Sequence, residues 1–362
     1  MLVVVKNLEV EGFSVKIYMS KQINFDWPIV GHGKIKGFLQ TLIKNQSLAH
    51  AFIFEGPSQV GKTLTAKLFA NSILCDGFES TKEDKVSLPC HKCEACREFS
   101  KNMYPDFYVL EREINEKTGE KKNFITVPQI RILLEKISKR AFLNSYKIVL
   151  IPEAQYLNQE ASNCLLKTLE EPAARTIIIL ITQNRDALLP TIQSRCQVLK
   201  FLPITKDEIY EYLLSQGANR SEAKELAGLA QGRPTVAMHY YFEREELLEL
   251  KRENQNLLGL FESNATQRFK SVGALLEKND TDDKAMALLQ RLTLLVRDLI
   301  LVNSYNQDFL TNIYLEDELQ RVAKRYSLDK LKSIAEEIEK TGQYIRQNVS
   351  PRFALENLVL GF

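Results

Sequence analysis

The stretch Glu55-Gly56-Pro57-Ser58-Gln59-Val60-Gly61-Lys62-Thr63, which follows directly on the apolar run Ala51-Phe52-Ile53-Phe54, decides how the chain is read. From Gly56 it runs G-x-x-x-x-G-K-T, the spacing of a phosphate-binding loop when a strand precedes it and a helix follows. The two glycines let the backbone curl until successive N–H groups point inward at phosphate oxygens. A helix expected from Lys62 to about Leu74 directs the positive end of its dipole at the same anion. Lys62 is placed to reach β and γ phosphates, and the Thr63 hydroxyl to ligate Mg²⁺. Gly56, Pro57, Ser58, Gln59, Val60, Gly61, Lys62 and Thr63 are therefore the candidate residues for ATP or ADP with Mg²⁺.

Outward from the loop, apolar runs alternate with helical patterns. Lys34 to about Asn45 is amphipathic through Ile35, Phe38, Leu39 and Leu42. Further strands are expected at Phe107–Leu110, Lys147–Ile151, Thr176–Thr182 and Gln197–Phe201. Between them, Thr126 with Gln129 forms a capping box, and Asn158 caps a helix stopped by Pro172. Strands apolar along their whole length, separated by helices, predict a parallel five-stranded sheet covered on both faces. Beyond Pro203 the strand pattern stops. Helices at about 205–215, 221–230 and 234–242 make a small group, and the polar stretch from Arg252 to Gln255 lies near the next boundary. Long helices at 286–302 and 328–347 belong to a third, all-helical region. The expected divisions are 1–18, 19–202, 203–247 and 248–362. Residues 1–18 alternate weakly, as an edge strand or hairpin does. Met19 opens a more natural beginning, so these residues are either an extension or a misplaced start, with no role assigned.

The six cysteines point to metal rather than disulfides. Cys90, Cys93 and Cys96 form Cys-x-x-Cys-x-x-Cys, and Cys75 closes the preceding helix. Four thiolates suit a closed tetrahedral Zn²⁺ site, which has no open position for water and is structural. Hydrophobic content between Cys75 and Cys90 is low, so the metal is expected to stand in for a core across the inserted module at 75–96. His91 is a possible but unneeded ligand, and Cys164 and Cys196 read as small buried hydrophobes. The composition is that of a globular protein, with 44% hydrophobic and 26% charged residues in 362 and a formal charge of +2. No apolar run approaches the ~20 residues of a membrane span. Lys6, Glu9 and Glu11 interrupt the apolar start before a signal-peptide core forms. A cytoplasmic protein is expected.

Several stretches narrow the reading. Ser162-Asn163-Cys164-Leu165-Leu166-Lys167-Thr168-Leu169-Glu170-Glu171-Pro172 closely resembles the N-x-L-L-K-x-L-E-E-P signature of clamp-loader ATPases. Ser194-Arg195-Cys196 matches their Ser-Arg-Cys motif, and Leu48-Ala49-His50-Ala51 resembles their lead-in to the phosphate loop. The cysteine module and Ser350-Pro351-Arg352-Phe353-Ala354-Leu355-Glu356-Asn357-Leu358 are similar to the module and collar end of the bacterial family. The resemblance covers roughly residues 23 to 360. It implies an AAA+ domain with the zinc module inserted, then a small helical lid domain and an all-α C-terminal collar domain. It also implies a five-membered open ring with gamma/tau ATPases and delta as partners. That ring opens the sliding clamp and places it on primed DNA.

Against that family pattern two departures matter. Where working motors carry Asp-Glu after the strand matching Ile148–Ile151, this chain has Pro152-Glu153. Proline offers Mg²⁺ no oxygen, and Glu153 alone is a vestige of the water-positioning group. In Gly232-Arg233-Pro234-Thr235, Thr235 falls where motors place a phosphate-sensing arginine, with Arg233 close by. Nucleotide binding without appreciable hydrolysis follows. The resemblance gives Arg195 the role of a finger reaching the γ-phosphate held by a neighbour. Glu170 and Glu171 close a helix. The expectation is thus a non-motor subunit, against a gamma/tau-type motor as the alternative. A zinc-ribbon nucleic-acid binder is the remaining reading, disfavoured by the near-zero charge and by Lys92 and Arg97 standing alone beside the cysteines.

Overall fold

The computed structural model describes residues 3–10, 13–20, 22–79, 85–115, 119, 121–141, 146–276 and 282–362, the first two stretches through their backbone. Two compact units divide the chain, Met1–Thr205 and Lys206–Phe362.

The first unit opens with β1 (Val3–Val10) and β2 (Phe13–Ser20), an antiparallel pair in which Met19 lies within β2. Then come β3 (Gln22–Phe25), α1 (Gly33–Asn45), β4 (Ala51–Glu55), α2 (Lys62–Leu74), α3 (Asp76–Glu79), β5 (Lys85–Leu88), α4 (Glu94–Ser100), β6 (Phe107–Val109) and α5 (Val127–Ser138). After them follow β7 (Lys147–Ile151), α6 (Gln159–Glu170), β8 (Thr176–Thr182), α7 (Pro190–Gln193) and β9 (Gln197–Lys200). Among the described residues the main sheet has five parallel strands in the order β6-β7-β8-β4-β9, as the apolar runs predict. Every residue of β7 and β8 is buried, because helices cover both faces.

The strand alternation splits these residues between two cores. Phe52, Phe54, Ile148, Leu150, Ile177 and Ile179 face α1 and α2, whereas Ile53, Val149, Ile151, Ile178 and Leu180 face α5 and α6. The helix starts are built from the expected side chains. Gln129 Oε1 accepts from the Thr126 N–H at 3.0 Å, and Asn158 Oδ1 from the Ala161 N–H at 2.7 Å.

The cysteine module departs from its sequence reading in one respect. It is not a coreless insert: Phe78, Val86, Leu88, Ala95 and Phe99 are buried in the same core as the phosphate-loop strand. Sparse apolar residues between Cys75 and Cys90 hid this, because those few are all turned onto α2 and its neighbours. A second, two-stranded sheet pairs β3 with β5 in parallel and ties the module to the chain ahead of α1.

In the second unit, α8 (Lys206–Ser215), α9 (Arg220–Ala230) and α10 (Pro234–Phe242) form the small helical group. α11 (Arg244–Gly259) runs without a break across both the expected division at 247/248 and the polar stretch Arg252–Gln255, and Asn254 within it is buried. α12 (Ala265–Leu276), α13 (Asp282–Asn303), α14 (Glu316–Ala323), α15 (Leu328–Arg346) and α16 (Pro351–Leu360) enclose a separate core. There Leu288, Leu292, Leu295 and Leu299 of α13 cluster with Leu331, Ile334 and Ile338 of α15. No strand occurs among the described residues of this unit.

Candidate functional site

The phosphate loop leaves β4 between its two sheet neighbours. The Gly56 N–H donates to Thr182 O at 3.2 Å, and the Phe201 N–H donates to Glu55 O at 2.7 Å. Gly56 has φ +146°, and a Cβ there would sit 2.1 Å from Phe201 O, so both conformation and space require glycine. Gly61, at φ +100°, turns the chain into α2, where Thr65 Oγ1 donates back to Gly61 O at 2.9 Å. Pro57, Ser58, Gln59 and Thr63 are exposed, whereas Gly56, Val60 and Lys62 are buried. The Lys62 ammonium curls onto the carbonyls of Gly56 and Pro57. Burial pushes its pKa down to about 8. A cation held against its own loop by two carbonyls is poised to exchange them for phosphate oxygens. The residues ahead of α1 brace the same loop: His32 Nε2 lies 2.9 Å from Val60 O, and its ring packs edge-on against Phe201 at 4.9 Å.

After β7, Pro152 contributes no side-chain oxygen, and Glu153 is engaged. Arg112 grips the carboxylate through both oxygens at 3.0 and 3.2 Å, and Lys121 Nζ lies 3.2 Å away. Burial alone would push the Glu153 carboxyl up. The hydrogen bonds and charges of Arg112 and Lys121 outweigh it and hold the group below the usual glutamate range. Arg112 also stacks over Tyr156 at 3.8 Å. Sequence reading missed Arg112 and Lys121. Neither belongs to a local motif, and they meet Glu153 only because β6 and β7 are sheet neighbours.

The four cysteines converge as their spacing predicts. Their sulfurs all lie within 4.8 Å of one another, with Cys75–Cys93 at 3.9 Å and Cys90–Cys96 at 4.0 Å. Metal–sulfur bonds of about 2.3 Å in a tetrahedron put sulfurs about 3.8 Å apart, so the donor set fits a Zn²⁺-sized ion. The Cys93 and Cys96 N–H groups point at the sulfurs of Cys90 and Cys93 at 3.4 and 3.3 Å. Such donors favour thiolate. Thiols this close cannot all ionise unaided. The hydrogen bond from Cys96 holds Cys75 down to about 5, the same bond drives Cys96 upward, and burial pushes Cys93 to about 11. His91 stands outside the cluster, with Nε2 3.6 Å from an Asp26 carboxylate oxygen. Cys164 and Cys196 are half-buried, and burial pushes the Cys196 thiol up to about 12.

Arg195 lies on the surface just after α7. Its guanidinium pairs with Glu170 at 2.7 Å and donates to Thr191 O at 2.9 Å. Glu170 closes α6, as expected, and also holds this arginine. Arg233 is half-buried at the start of α10 and donates to Ala230 O at 3.1 Å, whereas Thr235 is exposed.

A glycine loop with a buried lysine, set between a parallel strand flanked on both sides and a long helix, makes the first unit a P-loop domain of AAA+-like build. A family model described as DNA polymerase III, delta subunit, matches residues 31–205, and its C-terminal counterpart matches residues 248–362. The chain belongs to this family of DNA polymerase III subunits, the clamp-loader family that its motifs resemble. It is similar to DNA polymerase III subunit delta' of Pseudomonas aeruginosa, 37% identical over 148 residues, 41% of this chain and 42% of that protein. Subunit delta' of Bacillus subtilis is 32% identical over 196 residues, 54% of this chain and 55% of that one. Subunit gamma of Buchnera aphidicola subsp. Schizaphis graminum is 28% identical over 307 residues, 77% and 78% of the two chains. In these matches the chain spans about half the length of the two delta' relatives. Among the described residues no helix is long and apolar enough to cross a membrane.

Proposed function

We propose that this chain is a delta'-type, non-motor subunit of a bacterial DNA polymerase III clamp loader, acting in the cytoplasm. In this reading residues 203–247 act as the lid, and residues 248–362 as the collar that joins gamma/tau ATPases and delta in a ring. The assembled ring handles the sliding clamp and primed DNA. The observation that carries the reading is the state of the position after β7. Pro152 stands there in place of a metal-binding acid, and Glu153 is committed to Arg112 and Lys121, whereas the phosphate loop keeps Lys62 and Thr63. Such a site holds nucleotide through Lys62 and Thr63 but lacks the means to charge and aim a water. Cys75, Cys90, Cys93 and Cys96 would hold a structural Zn²⁺, which with four thiolates cross-links the module and leaves no position for chemistry.

Arg195 is read as the finger supplied to a neighbour's γ-phosphate. Its partner Glu170 is half-exposed, and ion pairs of that kind are worth only about 0–1 kcal/mol, so the guanidinium is cheaply released. A finger of this type accelerates phosphoryl transfer roughly 10³–10⁵-fold. Arg195→Ala is expected to leave the chain folded while the reconstituted loader loses its clamp-stimulated ATP turnover. Full turnover in that complex would remove Arg195 from the mechanism.

The deciding measurement is Mg²⁺-ATP hydrolysis by the purified chain, with nucleotide binding recorded on the same sample. Binding without turnover is expected. Turnover that disappears in Lys62→Ala would instead favour a gamma/tau-type motor, the reading supported by the gamma relative and by the retention of Lys62, Thr63 and Glu153.

A further inference from the structure

Two routes join the cysteine cluster to the phosphate loop within the first unit. The short one is α2, which Lys62 opens and Cys75 closes. The other leaves the module through β5. There β5 pairs with β3, with Phe25 opposite Leu88, and the Asp26 N–H donates to Leu88 O at 3.3 Å. The exposed contact between Asp26 and His91 spans the same junction from within the Cys90–Cys93 turn. Trp27 follows, buried, with its indole N–H donating to Ser72 Oγ at 2.9 Å in the last turn of α2. Gly31 and His32 then turn the chain at positive φ, and His32 ends the route on Val60 O inside the loop.

Each link is short, and one is weak by itself. A two-stranded sheet of four residues per strand is marginal in water and needs outside support. Here the support is the module, whose Val86 and Leu88 are buried beside Phe78 and Phe99. The meeting of the four sulfurs joins the end of α2 to the Cys90–Cys93 turn and the first turn of α4. A bound metal makes that meeting part of folding, whereas four unliganded thiols must share protons and give no cross-link.

We infer that metal occupancy of the Cys75, Cys90, Cys93 and Cys96 cluster sets the shape of the phosphate loop through β5, β3, Trp27 and His32, so that nucleotide binds tightly only to the metal-loaded chain. The inference rests on the metal and nucleotide readings above. It is not a role in hydrolysis.

Trp27 is the single tryptophan, so the middle of the route carries its own reporter. The full chain would be stripped with a chelator under reducing conditions, with released zinc quantified. Trp27 emission, far-UV circular dichroism and ADP affinity would be followed together. The expected result is a red-shifted emission and an ADP affinity weakened about tenfold, within the usual range for coupled sites, with the helical signal retained and both changes reversed by added zinc. In His32→Ala the emission should still shift, but stripping should change ADP affinity much less than in the unaltered chain, because the last link of this route is already cut; an undiminished change would place the coupling on α2 and overturn the route through His32. Release of zinc with unchanged emission and unchanged affinity would overturn the coupling and leave both underlying readings standing. A chain purified without metal, or one that binds no ADP in either state, would overturn the corresponding reading and this inference with it. Collapse of the whole helical signal on stripping would also overturn it, since the metal would then hold the fold and not the loop.

Discussion

Lys62 carries its charge into the interior with two carbonyls and, among the described residues, no carboxylate beside it. Its pKa near 8 lies below the ordinary lysine value of 10.5. This charge therefore costs folding stability at neutral pH, and the cost is relieved as pH rises from about 8 to about 10.5. Nucleotide phosphates act the other way, favouring the protonated form. Binding at pH 8 should therefore take up about half a proton, and affinity should fall toward tenfold per pH unit above that. Calorimetry in two buffers of different ionisation enthalpy checks the uptake; none at pH 8 would count against a phosphate contact at Lys62. Glu153 is held with the opposite sign, so the stability it gains from Arg112 is present above its unfolded pKa and lost as pH falls through the lowered folded value. Arg112→Ala should cost about 1–2 kcal/mol at pH 7, and the difference from wild type should shrink on acidification below about pH 4. The phosphate loop was legible because its chemistry is contiguous in sequence, from Gly56 to Thr63. The Arg112–Glu153 grip was not, because the partners are brought together by strand pairing alone.

Elements were legible where periodicity was strong. The five strands and the helices from Lys62 and Gln159 begin and end within a residue or two of their expected places, and the helix from Val127 begins at its expected capping box. A sequence pattern cannot tell a solvated polar side chain from a buried one that meets a partner. Within the polar stretch Arg252–Gln255, in the middle of α11, Asn254 is buried and donates to Tyr314 Oη at 2.9 Å and to Asn312 Oδ1 at 3.2 Å. Asp298 in α13 completes that junction. Fully buried, it accepts from the Thr311 N–H at 3.0 Å and from the Asn312 N–H at 2.8 Å, and so pins the loop between α13 and α14. Removing it leaves those donors buried without a partner. Asp298→Ala should destabilise the second unit by about 3 kcal/mol, read as a lower urea midpoint at nearly unchanged slope. A loss below a few tenths of a kcal/mol would mean that water reaches the loop once the carboxylate is gone.

At the scale of the whole molecule, each of the two units, divided at Thr205/Lys206, owns its core. Residues 206–362, produced alone, should therefore give a helical spectrum and a cooperative thermal transition. A gradual, non-cooperative melt would show that this core needs the first unit. Strand order has a different consequence, which concerns synthesis. β4 precedes its sheet partners in the chain, yet it lies between β8 and β9, and Gly56 rests against Phe201. At ~5–20 residues per second, a ribosome delivers those partners roughly six to thirty seconds after the phosphate loop has emerged. Through that interval the nascent loop has no walls, and its shape is complete only when nearly the whole first unit is outside the exit tunnel.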